Sequence, residues 1–193
     1  MAKKVITKKA RVSVVKKRWY SVQAPKVFNN IVFAETLAAD PKLLKGRGIT
    51  TSLSTINKGM KRQNLEVKLK IVNVKGNECE TEFRSMEISG PFVKRLVKRA
   101  KKRIDDSFVV ETKDGVKVRL KPLLFVKETV QRGVLTGLRK MTQEYCLKLA
   151  KEVEFNALVN KILQGEVQRD LKGVLKKVYP VSAVQIRALK RER

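Results

Sequence analysis

From residue 65 the chain alternates. Leu65, Val67, Leu69 and Ile71 recur at every second position, separated by Glu66, Lys68 and Lys70. A period of two puts the apolar set on one face of a strand and the charges on the other. Lys75-Gly76-Asn77-Glu78 supplies a hairpin turn, and the return strand, about Cys79 to Ile88, sets Cys79, Thr81 and Phe83 against Glu80, Glu82 and Arg84. Those acids are expected near Lys68 and Lys70 across the hairpin. A second hairpin runs from Phe108-Val109-Val110-Glu111-Thr112 through Lys113-Asp114-Gly115 into Val116, Val118 and Leu120. Asp-Gly between two alternating runs is a strong short-range hairpin signal. Asp105 and Asp106 are read as beginning the turn before it.

Earlier segments are also β-like. Trp19-Tyr20-Ser21-Val22-Gln23-Ala24 is aromatic and β-branched and is closed by Pro25. Ile31-Val32-Phe33-Ala34 reads as a second short strand, with Asp40-Pro41 as a turn. Gly48 to Ser54 is β-rich, and Asn57-Lys58-Gly59 marks the next turn.

Helical spacing takes over in two places. After Ser89, Gly90 and Pro91, the apolar residues Phe92, Val93, Leu96, Val97 and Ala100 share one face of a helix expected to run to Arg103. Its other face is Lys94, Arg95, Lys98, Arg99, Lys101, Lys102 and Arg103, more cations than a solvated face needs. In the C-terminal third, Leu135, Leu138, Met141, Tyr145, Leu149 and Val153 form one stripe. Leu158, Val159, Ile162 and Leu163 form a second, and after Gln164-Gly165 come Val167, Leu171, Val174, Leu175 and Val178, stopped by Tyr179-Pro180. Val181 to Leu189 is a candidate strand. No internal repeat or low-complexity linker divides the chain. One composite domain is expected, residues 19–193, β-rich over 19–128 and helical over 134–179, with a basic segment over 180–193.

Charge changes what this body must do. The 193 residues carry 45 Lys and Arg against 18 Asp and Glu, a formal charge of +27. That is about one unpaired cation per seven residues, and such a body needs a polyanion. The hydrophobic fraction of 42% is that of a folded protein, not of a polycationic tail. Residues 1–18 concentrate Lys3, Lys4, Lys8, Lys9, Arg11, Lys16, Lys17 and Arg18 with no acid before Glu35. This block is expected to be an extended basic arm that orders on its partner. Ten of the 18 acids instead fall between Glu66 and Glu128.

Absences narrow the chemistry. The chain has no histidine, which removes imidazole catalysis and every His-containing zinc site. Cys79 and Cys146 stand far apart, form no CxxC unit, and are expected as small buried hydrophobes of a reducing compartment. No apolar run approaches a membrane span, and no secretory signal is visible, so a soluble, intracellular protein is expected. Lys45-Gly46-Arg47-Gly48 lacks the spacing of a phosphate loop. Its glycines are read either as an ordinary loop or as allowing close backbone approach, with Lys45 and Arg47 beside it. Asp105, Asp106, Glu111 and Lys113 superficially resemble a metal-dependent nuclease pattern, but only four residues separate Asp106 from Glu111. Trp19 and Tyr20 are read either as core or as stacking on an unpaired base, one of each being compatible. Phe28, Phe33, Phe83, Phe92 and Phe125 are assigned to core. No cofactor, metal or small-molecule substrate is expected.

Four stretches carry a resemblance. Lys16 to Pro25 followed by Phe28, Phe92 to Arg99, Thr112 to Arg119, and Lys176-Lys177-Val178-Tyr179-Pro180 with Arg187 and Lys190 occur in order with matching spacing. They are similar to the S-three-a-e family of archaeal and eukaryotic small-subunit ribosomal proteins. The resemblance covers about residues 16 to 191. It implies a structural component of the small subunit, bound to 16S-type ribosomal RNA on the platform near the messenger exit, with ribosomal-protein neighbours and no catalysis. The absence of the long tail of eukaryotic members suggests an archaeal type. Ser52-Leu53-Ser54-Thr55-Ile56-Asn57-Lys58-Gly59 departs from the family where acids are expected.

The expected architecture is therefore α+β, mostly antiparallel and partly closed as a β-barrel, with a basic helix, C-terminal helices and a basic N-terminal arm. The expected RNA contacts are the arm cations, Trp19 and Tyr20, Lys45 and Arg47, the seven cations of the helix, Arg187 and Lys190. A DNA-compacting chromosomal protein is the alternative that composition leaves open.

Overall fold

The computed structural model describes residues 16–57, 64–98, 102–126 and 128–192, except the side chain of Lys98. The alternating hairpin is its centre. Strand β4 (Leu65–Lys75) pairs antiparallel with β5 (Glu78–Ile88) through a two-residue turn. Leu65, Val67, Leu69 and Ile71 are all buried, so the period of two survives into packing. Two register shifts interrupt the ladder. At one of them Lys68 faces Ser85 and Leu69 faces Phe83, leaving Arg84 as an extra residue. Inward parity on β5 therefore passes from Phe83 to Met86 and Ile88.

The other strands assemble around β5. Its free edge is shared: β1 (Arg18–Gln23) pairs parallel with the first part, at Glu78 to Glu80. The C-terminal strand β9 (Ala183–Arg191) pairs antiparallel with the second part, at Ser85 to Glu87. Beyond β1 lies β2 (Val32–Ala38), and on the far side of β4 lies β3 (Gly48–Ser52). Beyond β9 lies β8 (Lys117–Val126), whose outer edge pairs with β6 (Lys102–Asp105) and β7 (Phe108–Glu111) in succession. The expected partial barrel is corrected here. Among the described residues no pairing joins β2 or β3 to β6 or β7, so the nine-stranded sheet stays open. The physical reason is the fork at β5, which splits its edge between two neighbours, and the helices, which bury the inner face that closure would otherwise bury.

Those helices are α3 (Arg132–Glu152), α4 (Phe155–Gln164) and α5 (Glu166–Leu175). Cys146, Ala150, Leu158, Val159, Ile162 and Leu163 join the β4–β5 inner face in the main core. Leu138, Leu171 and Leu175 pack with Ile104, Leu124 and Val184 in a second cluster. The buried seam of α3 is Leu138, Thr142, Cys146 and Ala150, rotated from the stripe expected from sequence. Thr142 enters it because its hydroxyl donates to the Leu138 carbonyl at 2.7 Å and so carries no unpaired polar group into the core. Gly165 separates α4 from α5 with φ of +80°, a left-handed cap donating to the Lys161 and Ile162 carbonyls. A short α1 (Leu53–Ile56) follows β3, where the sequence reads as continuous strand to Ser54. The Asn57-Lys58-Gly59 turn lies largely outside the described residues.

The basic helix is shorter than expected. Helix α2 spans Gly90–Lys98, while Lys102 and Arg103 lie on β6, with Ile104 facing Leu124 across the ladder. Burial of Ile104 against β8 and the second cluster outweighs the local helical preference of a lysine-rich run. Asp105 likewise ends a strand rather than opening a turn. Phe28, Phe83 and Phe125 are buried as assigned, and Phe33 and Phe92 pack half-buried against the main core. Both cysteines are buried and unpaired, and burial pushes the Cys146 thiol up to about 12.

The Asp-Gly hairpin also anchors a helix. Asp114 Oδ2 accepts from the Phe155 backbone N–H at 3.0 Å, capping the first turn of α4 from 41 residues away. Glu154, the residue at the cap position, makes no such bond. Loss of an N-terminal cap acceptor typically costs about 1–2 kcal/mol. Asp114→Ala is therefore expected to lower stability by that amount, and Asp114→Asn by less, as read from urea unfolding midpoints. Equal losses would deny the carboxylate its capping role.

Candidate nucleic-acid interface

The outward face of the sheet is built by pairing register. Glu66 on β4 faces Glu87 on β5, Glu87 faces Ala188 on β9, and Ala188 faces Lys121 on β8. The adjacent row is Lys68, Ser85, Lys190 and Arg119. Directly opposed residues share a face, so these rows form one charged surface opposite the helices.

Pro122 shapes it further. Lys121 faces Ala188 while Pro122 faces Ile186, so Arg187 is the extra residue of a β-bulge. Proline has no N–H to give the ladder, and inside a sheet it is confined to edges or bulges. The bulge turns Arg187 out to solvent between two buried neighbours, Ile186 and Ala188.

Above this bulge lies a cleft of about 430 Å³ lined by Lys94 of α2, Arg103 of β6, Lys121 of β8 and Arg187 of β9, with Glu66 and Glu87 at its other side. Four elements thus deliver four cations to one concavity. Glu87 is held by Lys190 at 2.7 Å and Lys68 at 3.4 Å, and Arg103 pairs with Asp105 at 2.8 Å. Exposed pairs of this kind contribute little to stability, so their cations remain exchangeable for other anions. The cationic surface runs on through Arg84 and Lys190, beside which Arg119 donates to Glu192 at 2.6 Å, while the Arg191 guanidinium pairs with Glu82 and lies 5.7 Å from the Phe155 ring centre of α4.

The Lys190 ammonium bonded to Glu87 holds its carboxyl below the usual carboxylate range, with burial opposing and Lys68 assisting. A depressed folded-state value means the contribution is complete above the unfolded value, about 4.3, and is lost as pH falls through the folded one. The wild type should accordingly lose its stability advantage over Glu87→Gln only as pH falls below about 5. Urea midpoints measured across that range for both proteins check it, and a pH-independent difference would contradict the pairing.

The remaining predicted contacts divide between two regions. Lys94, Arg103 and Arg187 meet in the cleft, and Lys190 borders it through Glu87. Lys102 is exposed on β6, and Arg95 is exposed on α2 with its guanidinium 5.9 Å from the Phe92 ring centre. At the other end Lys16, Lys17, Arg18 and Trp19 are exposed at and before β1, but Tyr20 is only 3% exposed. Tyr20 packs with Val22, Ala38, Leu44, Ile71 and Cys79, so it is core and not a stacking surface. Lys45 is exposed, and Arg47 donates to Thr36 Oγ1 at 2.6 Å and to the Leu37 carbonyl at 3.3 Å. Gly46 has φ of +86° and donates to the Ile71 carbonyl, while a Cβ there would meet only ordinary contact, so conformation rather than space requires glycine. Lys3, Lys4, Lys8, Lys9, Arg11, Arg99, Lys101 and the Lys98 side chain lie outside the described residues.

Lys121, Glu66 and Glu87 are members of the site that sequence reasoning missed. A proline within an apolar run was the available signal, because it marks a bulge opposite. The carboxylates of the nuclease-like pattern are used otherwise: Asp105 pairs with Arg103, Asp106 pairs with Arg139 at 3.3 Å, and Glu111 faces Lys117 across the hairpin. Among the described residues no three metal-ligating side chains gather, and no helix is long and apolar enough to cross a membrane.

Known proteins match along nearly the whole length. The model of the Ribosomal S3Ae family matches residues 6–192. Small ribosomal subunit protein eS1 of Methanothrix thermoacetophila is 33% identical over 187 residues, covering 97% of this chain and 88% of that protein. The eS1 protein of Nanoarchaeum equitans is 31% identical over 165 residues, covering 86% and 83%. That of Methanobrevibacter smithii is 28% identical over 186 residues, covering 96% of each. With its family model matching residues 6–192, this basic α+β chain belongs to the Ribosomal S3Ae family.

Proposed function

We propose that this protein is a structural constituent of the small ribosomal subunit in the cytoplasm, where it binds and neutralises ribosomal RNA and supports subunit assembly and translation. The carrying observation, beside family membership, is the cleft to which α2, β6, β8 and β9 each bring one cation. Rigid strands hold three of these at fixed spacing, which suits a folded phosphate backbone better than a flexible tail would. The exposed pairs at its rim let phosphate oxygens take the place of carboxylates. Its role is scaffolding, without catalysis or cofactor: it lets RNA segments of like charge approach each other. Its place is the platform near the messenger exit, among other small-subunit proteins. The DNA-compacting alternative finds no support in the relatives.

Sedimentation tests this. In a low-salt gradient of cell extract the protein is expected to travel with small subunits, and a high-salt gradient is expected to release it. A protein that ran free of subunits at low salt would end this reading.

A further inference from the structure

Trp19 and Leu37 face each other across the β1–β2 ladder and so lie side by side on one surface. Trp19 is 63% exposed and Leu37 37% exposed. Large apolar side chains standing together in solvent call for an occupant. The plate is rigid from beneath, because Tyr20 and Val22, which alternate with Trp19 along β1, are sealed in the core cluster with Ala38 and Leu44. Lys16, Lys17 and Arg18 immediately precede it, all exposed, whereas the Arg47 guanidinium, bonded to Thr36 Oγ1, stands on the Tyr20 face of the ladder. The acids of this face, Glu35 of β2 and Glu78 of β5, both flank Ser21, two residues along the strand from Trp19 and away from Lys16 to Arg18.

An apolar protein partner would have to desolvate the three consecutive cations beside the plate, which is costly without matching acids. An RNA duplex offers phosphates to the cations but no base face to the indole. An unpaired strand offers both, phosphates at nucleotide spacing and a free aromatic ring. Building on the RNA-binding reading above, we propose that the Trp19–Leu37 plate stacks an unpaired base of a single-stranded RNA segment whose phosphates lie on Lys16, Lys17 and Arg18. The cleft and the plate then divide the work: the cleft takes backbone, and the plate distinguishes single strands from duplex.

Trp19 is the only tryptophan in the chain, so its emission reports on this plate alone. The full chain is titrated with a single-stranded oligoadenylate, with an abasic strand of equal length and charge, and with duplex RNA. Oligoadenylate is expected to quench the emission and to bind about 5- to 150-fold more tightly than the abasic strand, the range of one base stacked on an aromatic ring. Duplex RNA is expected to bind without quenching. In Trp19→Ala the preference over the abasic strand should fall to about one while the salt dependence is kept, and Trp19→Phe should restore part of it. Equal affinity for the two strands, or an unchanged preference in Trp19→Ala, overturns the inference. So does an emission shift that follows protein concentration without RNA, which would give the plate to a second copy. Failure of all three ligands to bind with any salt dependence would instead overturn the RNA-binding reading itself.

Discussion

A chain ending at Ser182 is expected not to fold. The segment removed carries the candidate strand read at Val181 to Leu189, and it is β9, which is paired on both edges, to Ser85–Glu87 of β5 and to Val118–Phe125 of β8. Val184, Ile186, Ala188 and Leu189 are all buried. Removing them exposes apolar surface on both neighbouring strands and leaves two ladders of buried backbone groups without partners. It also disconnects β6, β7 and β8 from the hairpin of β4 and β5, since β9 is the strand that joins them. A single Leu189→Ala should cost about 2–5 kcal/mol, a large part of the 5–15 kcal/mol by which domains of this size are stable. Circular dichroism and urea unfolding decide the matter. A truncated chain with cooperative unfolding near the wild-type midpoint would show that β9 is peripheral. By contrast, Lys190→Gln changes only an exposed ion pair and should cost less than about 1 kcal/mol.

The second large effect concerns the cleft. Replacing Lys94, Arg103, Lys121 and Arg187 together by Gln is expected to flatten the dependence of RNA affinity on salt. Each phosphate contact contributes about 0.7 to 0.9 to the slope of log affinity against log salt, so four lost contacts remove about three units. Because this electrostatic component fades toward molar salt, three units of slope correspond to roughly a thousand-fold weaker binding near 0.1 M. A matched control removes the same charge elsewhere. Lys140, Lys148, Lys151 and Lys161 are exposed on α3 and α4, the helices that pack on the opposite face of the sheet. Their substitution by Gln should change the slope by less than about one unit. Equal changes from both sets would mean that net charge, not the cleft, governs binding. All eight positions are on the surface, where such substitutions usually shift stability by no more than about 0.5 kcal/mol each.

Much of the local structure is legible along the chain. The period of two over Leu65 to Ile71 became a strand with that face buried, and Asp114-Gly115 became a hairpin. Gly165 ended a helix where the second stripe stops. These succeed because each depends on neighbours within a few residues: alternation, turn chemistry and capping are local. The errors come where a distant partner decides. Lys102 and Arg103 have helical neighbours but lie in a strand, because Ile104 is buried against β8. The seam of α3 rotated toward Thr142 and Cys146 because the core lies there, and a hydroxyl satisfied within its own helix can be buried. Trp19 and Tyr20 are indistinguishable by composition, and only the cluster beneath β1 sorts one inward and the other outward.

What the sequence by itself determined about this protein is its kind. The charge of +27 on a foldable core called for a polyanion, and the four ordered motifs pointed to the family that the whole-length match bears out. It also singled out Lys94, Arg103 and Arg187, which line the cleft. Only the tertiary structure decided which of them come together. Lys94 and Arg187 are separated by about half the chain and meet because β9 returns to the middle of the sheet. Pairing between strands depends on which edges are free and which faces must be buried. Those conditions exist only once the other strands are in place, so the cleft is a property of the assembled sheet rather than of any segment in it.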